Sequence, residues 1–165
     1  MDQSSPQTTS NTVRMWSFCR PTITKDTKKY KSNTFGFYAV RGNSVIDFPE
    51  HSRKEDVTAF LEKVRLDNPE GRILIILDNF KSHHAIKVAE RALELGIDLI
   101  FLLPYSPDLN PIEFIWKSIK RIISRSFIDS RERMCSVIEN AFLSFSESKS
   151  YAKAWVSRFL PLDVQ

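Results

Sequence analysis

Two acidic residues stand where a fold could put them to chemical use. Asp78 directly follows the unbroken apolar run Ile73–Leu77. In open α/β sheets ligands gather at the carboxyl ends of strands, so this is a favoured edge. Glu113 stands at the head of a helical pattern, and thirty-four residues separate it from Asp78. Two carboxylates set by a strand end and a helix start could share a hard divalent cation, which takes oxygen ligands. Each has an ordinary explanation as well. An Asp after a strand often begins a turn. Asn110, Pro111 and Glu113 resemble a capping box, with Asn110 as N-cap and Glu113 reaching back to a backbone N–H. His83 and His84 lie one loop beyond Asp78. A His beside an acid can bind a metal or carry a proton, but His84 reads as a polar group at a helix start.

The helix opened by Pro111 has two faces. Ile112, Ile115, Trp116, Ile119, Ile122 and Ile123 share the apolar one and should pack on a sheet. Glu113, Lys117, Lys120 and Arg121 share another. An acid leading a basic stripe suits a metal-held phosphate at one end and a polyanion backbone along the rest. The plain alternative is a solvated face with one Glu–Lys pair. A second basic stretch, Arg14 to Lys31, includes Lys28 and Lys29 and interleaves Trp16, Phe18 and Tyr30. Cations among aromatics suit nucleic acid, although such runs are commonly no more than charged surface.

The elements that must position these groups follow from periodicity. Residues 4 to 13 read as loop. Thr34 to Val40 and Ser44 to Phe48 read as strands of a hairpin turned at Arg41-Gly42-Asn43. Val57, Phe60, Leu61 and Val64 mark a helix over Arg53 to Leu66. Ile73–Leu77 reads as a strand buried on both faces. A helix over His83 to Leu95 ends at Gly96, placed as a left-handed cap. Leu99 to Leu103 is another strand. Helices over Pro111 to Ser124 and Ser130 to Phe145 follow, and an aromatic-rich tail closes the chain. The alternation implies an α/β sandwich with a mixed sheet.

Composition narrows the class. With 165 residues, 42% hydrophobic and 27% charged, the chain is of single-domain size and not of disordered composition. Cys19 and Cys135 form neither a metal-ligand spacing nor a disulfide framework, so a reducing, cytosolic setting is the default expectation. No stretch has the apolar length of a membrane span. The net charge of +4 does not by itself identify a polyanion partner.

Two stretches carry a family resemblance. They are Leu77-Asp78-Asn79-Phe80-Lys81-Ser82-His83 and Leu103-Pro104-Tyr105-Ser106-Pro107-Asp108-Leu109-Asn110-Pro111-Ile112-Glu113-Phe114-Ile115-Trp116-Lys117. They resemble the catalytic core of DDE transposases of the Tc/mariner superfamily, most closely the prokaryotic insertion-sequence branch. The resemblance implies a ribonuclease-H-like three-layer fold with a mixed five-stranded sheet. It implies that Asp2, Asp78 and Glu113 are catalytic and bind two Mg²⁺ or Mn²⁺ ions. Asp2 takes the place of the acid in the family's first strand, ahead of the hairpin; Asp26, Asp47 and Asp56 match it less well. Gln3 stands where Glu often follows. The implied reaction is in-line attack on a phosphodiester, by water and then by a DNA 3′-hydroxyl, between two clamping ions.

On this reading the basic stripe Lys117, Lys120 and Arg121 and the basic stretch with Arg14, Lys28 and Lys29 are expected to contact DNA, with Asn79, His83 and Asn110 supporting the site. The resemblance implies transposon ends and target DNA as partners, a homodimer or a chain supplying a DNA-reading segment, and a nucleoid-associated location. Residues 1–125 would form the core and residues 126–165 a helical extension of it. Only Met1 precedes Asp2, and no helix-turn-helix segments stand ahead of it. The expectation is therefore an N-terminally truncated member with its first strand nearly missing. Two other readings stay open: an inactive remnant that binds DNA or a full-length transposase, and another ribonuclease-H-like nuclease such as a resolvase.

Overall fold

The computed structural model describes residues 1–9, 18, 22–78, 86–104, 106 and 109–159. Ten elements position the acids. In chain order they are β1 (Asp2–Ser4), β2 (Thr34–Phe37), β3 (Val45–Asp47), α1 (Lys54–Asp67), β4 (Ile73–Leu77), α2 (Ile86–Glu94), β5 (Ile97–Phe101), α3 (Ile112–Arg125), α4 (Arg131–Glu147) and α5 (Lys153–Phe159). A single 3₁₀ turn, Lys149–Tyr151, joins the last two helices.

β1, β2 and β3 form an antiparallel sheet in that order, and β4 pairs with β5 in parallel. The Met1 amino group donates to the Ile76 carbonyl at 2.7 Å, joining the β1 side of one sheet to β4 of the other. The first strand is short but present: Asp2 opens it, and it pairs with β2 over its whole length, Asp2 opposite Gly36 and Ser4 opposite Thr34. The hairpin turn places Gly42 at φ +90°, a conformation that strains any residue with a Cβ. Its neighbour Asn43 is held by the Asn68 side chain just beyond α1.

Two apolar cores flank the strands. On one side Phe60, Leu61 and Val64 of α1 and Val88 of α2 meet Ile75 and Leu77 of β4. On the other, Ile115, Trp116 and Ile119 of α3 meet Ile138 and Phe142 of α4 and Ile46 of β3. This gives the helix–sheet–helix layering expected of an α/β sandwich. The apolar stripe of α3 packs inward as its spacing predicts, with Ile122 only partly buried.

Two expectations are corrected. β4 is not buried on both faces: Ile75 is 0% exposed but its neighbour Leu74 is 55% exposed. The reason is that the second core holds no β4 or β5 residue; α3 and α4 lie over the three-stranded sheet. β5 starts at Ile97, two residues earlier than read, because Gly96 (φ +64°) ends the α2 turn and the strand follows at once. After α4 the described residues form a 3₁₀ turn and then a helix that reaches Phe159. The proposed start of α2 at His83 lies outside the described residues.

Candidate active site

Asp2 is the first residue of β1 and is 3% exposed. Its two carboxylate oxygens are each held by one N–H. Oδ1 accepts from the Gln3 backbone at 2.8 Å, and Oδ2 accepts from Trp116 Nε1 at 3.0 Å. Asp78 follows the last residue of β4 and is half-buried. The Leu102 N–H donates to the Leu77 carbonyl at 2.8 Å, so β-type pairing runs up to that edge. Glu113 is the second residue of α3 and is also half-buried.

The three acids come from a strand start, a strand end and a helix start, and two of them act electrostatically on Asp2. Burial first, and then the negative charges of Glu113 and Asp78, raise the Asp2 carboxyl from 3.8 to about 7 against the opposing pull of the Met1 amine and the Gln3 N–H. The Met1 amine is itself lowered to about 6 by burial, against the raising influence of Asp2 and Asp78. Like charges gathered in low dielectric are what a cation would relieve. The donor set, all carboxylate oxygen, suits Mg²⁺ or Mn²⁺. Among the described residues no three His, Cys, Asp or Glu side chains already stand in an arrangement that could hold an ion. Mg²⁺ commonly takes one or two carboxylates with waters and substrate phosphate, rather than an all-protein cage.

The capping-box expectation for Glu113 is corrected. Pro111, at φ −57° and ψ −27°, is the N-cap of α3, and no side chain caps the helix. The helix therefore begins one residue later than that motif requires. Asn110 is buried at 5% exposure and contributes its carbonyl, which accepts the Glu113 N–H at 3.1 Å. Glu113 is not engaged in returning to a cap.

Of the basic candidates, Lys117 and Arg121 are exposed on α3, one and two turns beyond Glu113, and Lys120 is half-buried. Lys28 and Lys29 are exposed. Their neighbour Tyr30 donates its hydroxyl to the Asp129 carbonyl, past the far end of α3. A helix of fourteen residues is about 20 Å long, so that Tyr30 contact lies about a helix length from Glu113. Arg14, Asn79 and His83 lie outside the described residues. Trp116 was legible only as core. The missed signal is that a buried indole N–H needs an acceptor.

A family model described as DDE superfamily endonuclease matches residues 1–135. The chain belongs to the DDE superfamily of endonucleases. Among curated proteins no sequence match is found. Solved structures of Mos1 transposase are similar in fold. The Mos1 strand transfer complex has a TM-score of 0.64 at 18% identity, over 93% of this chain and 48% of the Mos1 chain. The mariner Mos1 paired-end complex with Mg gives 0.66 at 19%, over 93% and 49%. The Mos1 catalytic domain with Raltegravir and Mn gives 0.58 at 19%, over 77% and 75%. The DDE chain thus spans about half the length of Mos1 in the two complexes. Its fold is the ribonuclease-H-like, mixed α/β fold expected from the sequence.

The electrostatics make a measurable prediction. In metal-free protein the Asp2 carboxyl, followed by carbon-13 NMR, titrates near pH 7 rather than near 3.8. A bound divalent cation favours the ionised form, so saturating Mg²⁺ must move the midpoint down. A midpoint near 4 without metal would contradict the burial of Asp2 beside the other two acids.

Proposed function

We propose that this DDE chain is the catalytic domain of a DNA transposase, cleaving phosphodiesters and transferring strands at insertion-sequence ends. The observation that carries the reading is the shared electrostatic neighbourhood of Asp2, Asp78 and Glu113, reached from three different elements. These acids would hold two Mg²⁺ or Mn²⁺ ions. When bound, such ions activate the attacking oxygen and stabilise the leaving one across an in-line displacement. Mos1 structures that carry Mg and Mn support the choice of cations.

The remaining roles fall to the chain's own surfaces. Lys117 and Arg121 lead away from Glu113 along the solvent side of α3 and would hold the DNA backbone, with Lys120 beside them. Arg14, Lys28 and Lys29 would extend that contact. Asn110 fixes the first turn of α3 through its carbonyl, and Asn79 and His83 would support the site. The partners would be transposon ends and target DNA, with a second copy or another chain supplying end recognition. The setting would be cytoplasmic and nucleoid-associated. Among the described residues no helix is long and apolar enough to cross a membrane.

Nicking of supercoiled plasmid with Mn²⁺ tests the centre. Asp78→Asn and Glu113→Gln should each lower nicking by about 10²-fold or more, the scale on which one electrostatic group at a reaction centre acts. Their unfolding midpoints should stay near wild type. Equal nicking by the variants would remove the assignment. A folded wild type that binds DNA without nicking would favour the inactive-remnant reading.

Salt dependence tests the basic face. Replacing Lys117 and Arg121 by Ala should flatten the slope of log K against log salt by roughly 0.9 for each DNA phosphate that is no longer neutralised. An unchanged slope would take α3 off the DNA path.

A further inference from the structure

The pairing of Asp2 with Gly36 exposes a role for Trp116. Residues directly opposite in an antiparallel ladder point to the same face of the sheet. Gly36 therefore leaves an empty place beside the Asp2 side chain. The indole of Trp116 fills it. A Cβ built at Gly36 would lie 2.7 Å from Trp116 Cη2 and Cζ2, and 3.0 Å from Phe142 Cε2. Gly36 is not among the glycines with positive φ, so space and not backbone conformation requires the glycine. A glycine inside a strand is weakening and often marks such a close approach. Phe142 stacks on the indole with ring centroids 5.5 Å apart. Held this way, Nε1 donates to Asp2 Oδ2 at 3.0 Å while the Gln3 N–H takes Oδ1.

We propose that Trp116 is a positioning residue: its indole N–H, seated over Gly36, fixes the plane in which the Asp2 carboxylate presents its remaining lone pairs to a divalent cation. The inference rests on the reading of Asp2, Asp78 and Glu113 as cation ligands. An ionised carboxylate has about four acceptor sites, so one N–H on each oxygen leaves room for a cation. Any buried indole N–H needs an acceptor, and a backbone carbonyl would serve a purely structural Trp. Here the acceptor is a candidate ligand whose other oxygen is also held. Trp116 also lies one turn beyond Glu113, on the same helix. Docking of α3 therefore sets Glu113 and the orientation of Asp2 together.

Mn²⁺ affinity, read from the electron paramagnetic resonance of free Mn²⁺, tests this apart from any nuclease activity. Partners that orient metal ligands are typically worth about 10–100-fold in metal affinity. Trp116→Phe, which keeps a ring but no N–H, should weaken Mn²⁺ binding within that range while remaining folded by circular dichroism. Gly36→Ala, which keeps the N–H but displaces the ring, should weaken it in the same direction. A folded Trp116→Phe with wild-type Mn²⁺ affinity overturns the positioning role and leaves the metal-site reading intact. A folded wild type that binds no Mn²⁺ overturns both. If neither variant folds, the Trp116 Nε1–H resonance of nitrogen-15-labelled wild type decides. A saturable shift with Mg²⁺ supports the role, and a signal unmoved at saturating Mg²⁺ overturns it.

Discussion

A carboxylate buried beside two other acids is an expensive thing to fold around, and much of this molecule can be understood from how Asp2 is accommodated. Burial disfavours its charge, and Asp78 and Glu113 disfavour it further. Two N–H groups partly compensate, one from its own strand and one from α3. The first is local to the chain, but the second is available only when α3 docks over Gly36, which strand pairing sets opposite Asp2. Strand pairing and helix packing, which look like generic stabilisation, are therefore also the means by which three acids are held in one neighbourhood. A site of this kind is left with excess negative charge, which a cation can offset.

The helix α3 joins the two sides of the account. Its inward face is apolar, with Ile115, Trp116 and Ile119 essentially inaccessible. Its first turn carries Glu113, and its outward face carries Lys117 and Arg121. One amphipathic segment thus anchors itself in the second core, supplies an acid, holds another acid by an indole N–H, and turns cations to solvent. The split between the apolar and the basic face follows from helical periodicity, since residues three and four apart share a face.

Much of this was legible in the sequence, and what was not has physical reasons. The α3 stripe, the hairpin at Gly42 and the left-handed Gly96 follow from local rules that tertiary context did not override. The burial of β4 was misread because an apolar run does not say whether a second helix layer reaches it; Leu74 is left exposed since α3 and α4 cover other strands. Glu113 carried two meanings, and only the backbone at Pro111 decided against the cap. Asp2 could be placed only by family resemblance, because a three-residue strand has no periodicity to read. The contact between Trp116 and Asp2 spans 114 positions and depends on Gly36, so it is a property of topology that no local pattern contains.

The central claim is that Asp2, Asp78 and Glu113 form one cation site. Anomalous diffraction at the manganese edge, from crystals soaked in Mn²⁺, addresses it most directly. The account predicts manganese density bound by oxygens of these three carboxylates, with Trp116 Nε1 still on Asp2 Oδ2. Manganese bound elsewhere, or density that leaves Asp2 without a metal contact, would contradict it.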